Sequence, residues 1–132
     1  MINQKSKIKK KKLSAIIIAK NEEETIGDCL ESVKWADEIV VIDNGCTDRT
    51  PQIAKEMGAR VYDYQTEGID YSAWRNFGAE KAIGEWLLYV DADERVSPLL
   101  KKEILLAINN QLPAINNYSA IAFSAPKFLQ AE

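Results

Sequence analysis

Short apolar runs that alternate with helical patterns constrain the fold of this chain more than any other feature. We predict strands at residues 13–19, 38–42, 59–64 and 85–90, because these runs are rich in β-branched and aromatic residues and apolar on one or both faces. The third run alternates more than the others and is therefore expected near a sheet edge. Strand and helix alternate four times, which predicts an α/β protein with a doubly wound, mostly parallel sheet and helices on both faces.

The helices are predicted from their start and stop signals. Asn21 is expected to cap a first helix that runs to about residue 34, with three glutamates in its first turn. Thr50 and Pro51 open a second helix that Gly58 closes. A third helix is expected at about residues 72–82, and a fourth begins at residues 97–98. A turn-rich linker at 109–117 then leads to a last strand-like segment at 118–125.

Length and composition limit the chain to one domain and exclude several kinds of site. At 132 residues and 14.9 kDa, one domain with a real core is expected. No apolar run approaches the roughly 20 residues of a membrane-spanning helix. The two cysteines have no CxxC spacing and the chain has no histidine, so zinc sites and cysteine-histidine catalysis are excluded. Cys29 lies on the apolar face of the first predicted helix and is expected in the core.

The formal net charge of -3 conceals a basic tail before an acidic body. Six of the 17 Lys and Arg residues lie at positions 5–12, and all 20 acidic residues follow them. We expect residues 1–12 to be a disordered tail, which is either simply solvated or attracted to anionic lipid at about 1 kcal/mol per lysine. The acidic body would repel nucleic acid. A cytoplasmic protein is expected, with peripheral contact at the inner face of the plasma membrane as an option.

Polar clusters follow three of the predicted strands at the point where each strand ends. They are Lys-Asn-Glu at residues 20–22, Asp-Asn-Gly at 43–45 and Asp-Ala-Asp at 91–93. In open α/β sheets, ligands bind beyond the carboxyl ends of the strands, where the strand order reverses. If the first four strands have the order 3-2-1-4, the three clusters form one rim of a binding site.

The carboxylates of this rim predict a hard divalent cation. Asp91 and Asp93 would repel each other unless a cation neutralised them, and oxygen ligands without His or Cys favour Mg²⁺ or Mn²⁺. Such ions take one or two protein carboxylates and complete their coordination with phosphate oxygens and water. A diphosphate is therefore the expected partner of the cation, although Asp-x-Asp by itself also occurs in ordinary solvated loops.

Five motifs in order resemble the nucleotide-binding half of glycosyltransferase family 2, the inverting enzymes with the GT-A (Rossmann-like) fold. They lie at residues 20–23, 35–43, 45–50, 75–78 and 84–94, and the stretch at 32–40 is most similar to the branch that includes lipopolysaccharide core glucosyltransferases. The resemblance implies transfer of a sugar, with inversion, from a nucleotide diphosphate sugar to a saccharide or lipid-linked acceptor hydroxyl. UDP is the expected nucleotide, and bacterial cell-envelope glycan synthesis is the expected setting.

The resemblance also implies roles for particular residues. Asp43 would bind the base, Asn21 and Glu22 would line the base and ribose pocket, and Arg75 would approach the nucleotide. Asp91 would lie near the ribose and the metal, and Asp93 would be a metal ligand together with Asp91. Asp43 as a plain turn residue and Arg75 as an ion-paired residue on a helix surface are the structural alternatives.

Two departures from the family pattern qualify these expectations. Cys46 stands where the family more often has serine, which could make the site sensitive to oxidation. The chain ends at residue 132, where the acceptor-binding half of the family would begin. We therefore expect residues 13–132 to be a nucleotide-sugar-binding domain truncated before that half, and the catalytic base stays unassigned.

Two other functions are compatible with the sequence. One is a nucleotide-binding module with the same fold and no catalysis of its own. The other is a phosphatase of the haloacid dehalogenase type, whose nucleophile also lies in Asp-x-Asp after a buried strand; here, however, three strand-helix units precede the motif and Glu94 follows it. The sugar, the acceptor, the linkage and the oligomeric state are not readable from these residues.

Overall fold

A computed structural model of the chain describes residues 13–110 and two short strands at 121–122 and 127–130. The elements alternate along the chain as the sequence predicts. Their bounds are β1 Leu13–Ala19, α1 Ile26–Ser32, β2 Glu38–Asp43, α2 Thr50–Glu56, β3 Arg60–Asp63, α3 Tyr71–Lys81, β4 Trp86–Asp91, α4 Pro98–Asn110, β5 Ile121–Ala122 and β6 Lys127–Gln130.

The strands form one sheet in the order β3-β2-β1-β4-β6-β5. All neighbours are parallel except β5 and β6, which are antiparallel. The predicted order 3-2-1-4 is confirmed, and β3 lies at a sheet edge as expected. In this register Ala19 is opposite Asp43, and Ile18 is opposite Asp91. The carboxyl ends of β1, β2 and β4 therefore lie level with one another at one edge of the sheet.

Helices cover both faces of the sheet because the central strands are apolar on both sides. Alternate residues of β1 enter different clusters, with Ala15 and Ile17 on one face and Ile16 on the other. The first cluster includes residues of α1, α2 and α4, and the second packs against α3. Cys29 is fully buried in the first cluster, which confirms its predicted place in the core.

The start of the first helix differs from its prediction. The helix α1 begins at Ile26, follows Thr25 without a side-chain cap, and ends at Ser32. Asn21 instead has a left-handed backbone with φ 54°, a conformation that asparagine tolerates better than most residues. Residues 22–25 form a turn closed by the bond from the Ile26 amide to the Glu22 carbonyl, at 2.8 Å. The three glutamates therefore precede the helix and do not lie in its first turn.

The other helices begin close to their predicted positions. Pro51 occupies the first turn of α2, and Gly58 follows its end with φ 94°. The Asp70 carboxylate caps α3 by accepting from the Ala73 amide at 3.0 Å. The Ser97 hydroxyl caps α4 by accepting from the Leu100 amide at 3.1 Å.

Some sequence-based predictions fall outside the described residues. They are the tail at 1–12, most of the linker and most of the segment at 118–125, of which only Ile121–Ala122 is described. The strand β6 was not predicted. Among the described residues, none of the helices combines the length and apolar character that crossing a bilayer requires.

A buried carboxylate joins the amino ends of four strands, at the edge of the sheet away from the polar clusters. Glu38, whose side chain is 4% exposed, pairs with the Arg60 guanidinium at 2.9 Å. Its other oxygen accepts from the Ser14 hydroxyl at 2.5 Å and from the Ile83 amide at 2.8 Å. The Ser14 hydroxyl in turn accepts from the Gly84 amide at 2.9 Å. These bonds compensate the desolvation of the charge and fix the connection between α3 and β4.

We predict that Gly84→Ala destabilises the protein by about 1–3 kcal/mol, because the new methyl group overpacks the entry to β4. A Cβ at Gly84 would lie 2.6 Å from the Ser14 Oγ and 2.8 Å from the Ser14 backbone nitrogen, which cannot move aside. The matched control is Gly27→Ala in α1, where a Cβ meets nothing within 4 Å and alanine should stabilise by about 0.5–1 kcal/mol. Urea unfolding measures both free energies, and equal values for the two variants would contradict the prediction.

Candidate functional site

A cavity of about 750 Å³ opens at the carboxyl edge of the sheet, between the ends of β1, β2 and β4 and the start of α3. Its position confirms that the predicted polar clusters share one rim. The lining residues come from every connection at this edge: Ile18, Lys20, Glu22, Asn44, Gln65, Thr66, Gly68, Ile69, Tyr71, Trp74, Arg75, Asp91, Ala92 and Asp93.

Four of the six residues that the sequence proposed for the site line this cavity. They are Glu22, Arg75, Asp91 and Asp93. Asn21 lines a smaller neighbouring cavity of about 420 Å³, which Glu22 also lines. Asp43 lies in neither wall; its neighbour Asn44 lines the larger cavity.

Asp43 is the half-buried last residue of β2 and shapes the loop that follows. One of its carboxylate oxygens accepts from the amides of Gly45, at 3.2 Å, and Cys46, at 2.8 Å. Gly45 has φ 94°, a conformation that favours glycine. The carboxylate therefore holds a tight turn directly beside the cavity.

Asn21 joins the loop after β1 to the loop after β2. Its amide oxygen accepts from the backbone nitrogens of Thr47, at 2.7 Å, and Asp48, at 3.3 Å. Its own backbone nitrogen donates to the Cys46 sulfur at 3.3 Å. The asparagine thus satisfies amides of a different loop, whereas the sequence suggested that it satisfies amides of its own helix.

Asp48 strengthens the same connection between the two loops. Its Oδ1 accepts from the Thr50 amide at 2.9 Å and from the Thr50 hydroxyl at 2.5 Å, while its Oδ2 accepts from the Glu23 amide at 3.1 Å. The Thr50 hydroxyl oxygen also accepts from the Glu22 amide at 2.8 Å. Desolvation acts to raise the pKa of Asp48, but the hydrogen bonds from Thr50 and Glu23 prevail and lower it below its ordinary value.

The turn after β4 presents two aspartates on either side of a buried alanine. Asp91 and Asp93 are exposed, whereas Ala92 between them is 3% exposed and anchors the turn in the core. The Asp91 amide donates to the Glu94 carboxylate at 2.9 Å, and the Glu94 amide donates to the Asp91 carbonyl at 2.9 Å. Glu94 therefore closes the turn, and both aspartates present their carboxylates at the cavity wall.

The buried thiol of Cys29 lies under this turn and is affected by its negative charge. It donates to the Asp91 carbonyl at 3.4 Å. Burial, followed by the negative charges of Glu94, Asp91 and Asp93, raises the pKa of Cys29 to about 12.

The two aspartates are suited to a Mg²⁺ or Mn²⁺ ion that shares its coordination with a ligand. Within the described part of the chain, no three His, Cys, Asp or Glu residues are grouped closely enough to hold a metal by themselves. Magnesium ordinarily needs only one or two protein carboxylates, and phosphate oxygens and water complete its shell. The oxygen-only donors Asp91 and Asp93, at the edge of an open cavity, meet that requirement.

Arg75 supplies a positive charge on the α3 side of the cavity. Its guanidinium lies over the Tyr89 ring, 5.8 Å from the ring centre, and its carbonyl accepts from the Tyr89 hydroxyl at 3.1 Å. Burial raises the pKa of Tyr89 to about 12, although the Arg75 charge opposes this effect. Among residues 13–110 no carboxylate forms an ion pair with Arg75, so the alternative of a surface pair with Glu22 is not observed.

A close helix-sheet contact sets the position of Arg75. Gly78, one turn further along α3, is buried against β1. A Cβ at this glycine would lie 2.6 Å from the Ile16 Cγ2. The missing side chain therefore lets α3 approach the sheet closely enough for Arg75 to reach the cavity.

The loop before α3 contributes a wall that sequence reasoning missed. The Trp74 indole donates to the Thr66 hydroxyl at 2.9 Å, and that hydroxyl donates to the Gly68 carbonyl at 2.8 Å. The Tyr71 ring packs edge to face on Trp74, with 5.1 Å between the ring centres, and Ile69 is 76% exposed. The loop has no periodic pattern, and only the polar residues that separate β3 from α3 hinted at a functional segment.

Cys46 lies between the loops after β1 and β2, and its environment argues against the expected sensitivity to oxidation. Its thiol donates to the Ala19 carbonyl at 3.4 Å and accepts from the Asn21 amide. Burial raises its pKa to about 11, which is only partly opposed by the Asn21 hydrogen bond. Since the thiolate is the reactive form, the thiol is expected to react slowly at neutral pH.

We predict that alkylation of Cys46 by iodoacetamide accelerates about tenfold per pH unit and shows no plateau below about pH 10, with Cys29 reacting more slowly still. Both folded-state pKa values are raised above the ordinary 9.0 of a thiol, so the folded protein holds these protons more tightly than the unfolded chain. Their contribution to stability is therefore complete below pH 9 and decreases as the pH rises from 9 towards 12. Peptide mapping of the alkylated protein measures the rates, and a plateau near pH 9 would refute the raised values.

Comparison of the sequence with known families identifies one match. Residues 14–128 match glycosyl transferase family 2. The chain is 41% identical over 104 residues to an uncharacterized glycosyltransferase of Rickettsia typhi, covering 76% of this chain and 35% of that protein. It is 33% identical over 110 residues to the lipopolysaccharide core biosynthesis glycosyltransferase LpsC of Rhizobium meliloti, covering 80% of this chain and 41% of LpsC. The chain thus spans about a third of the length of the first of these relatives.

Solved structures show the same fold. The chain superposes on the crystal structure of S. aureus TarS residues 1–349 with a TM-score of 0.62 and 28% identity, covering 75% of this chain and 32% of that one. It superposes on glucosyl-3-phosphoglycerate synthase from Mycobacterium tuberculosis, in complex with Mn²⁺, UDP-glucose and phosphoglyceric acid, with a TM-score of 0.53 and 28% identity. That match covers 70% of this chain and 41% of the synthase.

These findings agree with the five sequence motifs and give no support to a haloacid dehalogenase. The match to the family covers most of the chain, and the relatives include an enzyme of lipopolysaccharide core biosynthesis. The neighbours in structure share the parallel sheet that carries the cavity. The chain belongs to glycosyltransferase family 2 and has the GT-A fold.

Proposed function

We propose that this chain is the donor-binding portion of a metal-dependent glycosyltransferase that transfers a sugar from a UDP-sugar, with inversion, to a saccharide or lipid-linked acceptor hydroxyl. The observation that carries the proposal is the shared cavity wall, in which Asp91, Asp93 and Glu22 lie around the same space as Arg75. The Mn²⁺ and UDP-glucose bound to the M. tuberculosis neighbour support the choice of ligands. The similarity to LpsC supports a role in bacterial cell-envelope glycan synthesis.

The base and ribose of the donor are assigned to the loops after β1 and β2. Asp43 is assigned to the base from a position directly behind the cavity wall, where its neighbour Asn44 lines the space. One of its carboxylate oxygens holds the turn, and the other is the acceptor assigned to an N–H of the base. Glu22 binds a ribose hydroxyl from the cavity wall, while Asn21 holds the two loops in place beside it. Both carboxylates are acceptors, which matches the donors that uracil and ribose present.

The diphosphate is assigned to the space between the turn after β4 and α3. Asp91 and Asp93 would hold the Mg²⁺ or Mn²⁺ ion, and Asp91 would also lie near the ribose. When bound, the ion offsets the negative charge that develops on the leaving diphosphate. Arg75 offsets the same charge from the α3 side and can donate bidentate hydrogen bonds to phosphate oxygens.

The catalytic base is not assigned to a residue of this chain. The relatives extend well beyond the length that this chain spans, and we place the acceptor site and its base in that additional part. A nucleotide-binding module without transferase activity of its own is the second candidate function. Separate measurements of nucleotide binding and of sugar transfer distinguish the two, since binding without turnover supports the module.

We predict that Mn²⁺ strengthens UDP binding at least about tenfold and that Asp93→Ala abolishes this enhancement, because the substitution removes a metal ligand. Calorimetric titration of UDP with and without Mn²⁺ measures the effect. Glu56→Gln is the matched control, since it removes an exposed carboxylate at the end of α2, away from the cavity.

Two outcomes of the titration would refute the metal site. In the first, UDP affinity does not depend on Mn²⁺ and is equal in the wild type and Asp93→Ala. In the second, Glu56→Gln also loses the enhancement by Mn²⁺, which would show that the enhancement depends on the overall charge of the protein and not on Asp93.

We further propose that the protein is cytoplasmic and contacts the inner face of the plasma membrane through the basic residues at positions 5–12. Six lysines near an anionic surface contribute about 1 kcal/mol each, which is sufficient for reversible binding. Sedimentation with vesicles of neutral lipid, with and without phosphatidylserine, should show binding only to the anionic vesicles and its loss at high salt. A variant with these six lysines changed to glutamine that still sediments would contradict the proposal.

A further inference from the structure

We infer that Lys20 binds the phosphates of the donor, as a second cation between the base end and the metal end of the cavity. No role was assigned to Lys20 from the sequence motifs, and the inference rests on the proposed nucleotide site. The class of ligand that it recognises is a nucleoside mono- or diphosphate.

The sheet register places Lys20 at the centre of the site. It directly follows β1, which lies between β2 and β4. Ala19 is opposite Asp43 on one side, and Ile18 is opposite Asp91 on the other. Lys20 therefore lies between the loop assigned to the base and the turn assigned to the metal. A nucleotide that extends from one to the other must lie close to Lys20.

The side chain of Lys20 is available to a ligand. It is exposed and lines the cavity together with Asn44 and Asp93. No carboxylate of residues 13–110 forms an ion pair with it. Arg75, the other cation of the wall, already has its guanidinium stacked over Tyr89, so its position is more restricted.

The backbone after Lys20 is held firmly, which fixes the base of this flexible side chain. Asn21 has a left-handed backbone and is bonded through its amide oxygen to Thr47 and Asp48. The Ala19 carbonyl before Lys20 accepts from the Asn44 amide at 2.9 Å. The chain on both sides of Lys20 is therefore tied to the loop after β2, and only the lysine stem is free to adjust to phosphate.

The charges of the wall explain why a cationic side chain is needed in addition to Arg75 and the divalent ion. Three carboxylates, those of Glu22, Asp91 and Asp93, line the same cavity as Lys20 and Arg75. A diphosphate adds further negative charge, and a divalent cation at Asp91 and Asp93 offsets it at one end only. A lysine ammonium near the middle lowers the remaining repulsion, and as a compact charge it tolerates several phosphate orientations.

The test compares ligands that differ only in their phosphates. Uridine, UMP and UDP are titrated in the presence of Mn²⁺ against the wild type, Lys20→Gln and Lys20→Arg. Lys20→Gln should weaken UMP and UDP binding about five- to tenfold, the size expected for one charge-assisted contact at an exposed site, and leave uridine binding unchanged. Lys20→Arg should retain most of the affinity, and the effect of Lys20→Gln should diminish at high salt.

Lys55→Gln is the matched control, because Lys55 is an exposed lysine in the last turn of α2, at the opposite end of that helix from the cavity. It should leave all three affinities unchanged. Equal thermal stability of the variants shows that differences in binding do not arise from unfolding.

The outcomes separate this inference from the proposed function. UDP binding that is Mn²⁺-enhanced in the wild type and unaltered in Lys20→Gln overturns the role of Lys20 and leaves the nucleotide site intact. An equal loss of uridine and UDP affinity overturns it as well, since Lys20 would then support the loop and not the phosphates. A wild type that binds none of the three ligands overturns the nucleotide site and the inference together.

Discussion

The hydrogen bonds that the Asn21 side chain accepts from the loop after β2 are the interaction on which the rest of the site depends. The connections after parallel neighbours leave the same edge of the sheet, where their amides have no strand partner. Asn21 accepts from Thr47 and Asp48, and Asp48 in turn accepts from Glu23 and Thr50. These bonds therefore join the two loops into one rim, which brings the residues assigned to the base and the phosphates together.

Carboxylates at the amino edge of the sheet contribute to stability, whereas carboxylates at the carboxyl edge are available for binding. At the amino edge, the buried carboxylate of Glu38 is satisfied by Ser14, Ile83 and Arg60, so its charge serves to join strands. At the carboxyl edge, Asp91 and Asp93 are exposed, and within residues 13–110 neither carboxylate forms an ion pair. Carboxylates that are compensated internally hold a fold together, whereas carboxylates left in contact with solvent can exchange water for a cation.

The cavity wall carries both positive and negative side chains, which suits a ligand that has a neutral polar part and a charged part. Burial, and after it the negative charges of the turn after β4, raises the pKa of Cys29. Arg75 and Lys20 bring positive charge from α3 and β1 into the same wall. On the other side, Tyr71 and Ile69 offer apolar surface that is unusually exposed for such large side chains.

The sequence by itself determined the class of fold and the edge of the sheet at which the site lies, whereas the strand order 3-2-1-4 was a hypothesis that the structure confirms. Buried β-branched runs such as residues 13–19 can be satisfied only inside a parallel sheet covered on both faces, and their polar ends must then meet at one edge. Only the tertiary structure decided what each polar residue does there. Asn21 looked like a helix cap because local spacing cannot show that amides 26 and 27 residues away need an acceptor. The loop at residues 64–70 has no periodicity and lines the site because the fold brings distant segments around one cavity. Lys20 belongs to a polar cluster that the sequence places at the rim, but its place in the same wall as Asn44 and Asp93 is decided by the fold.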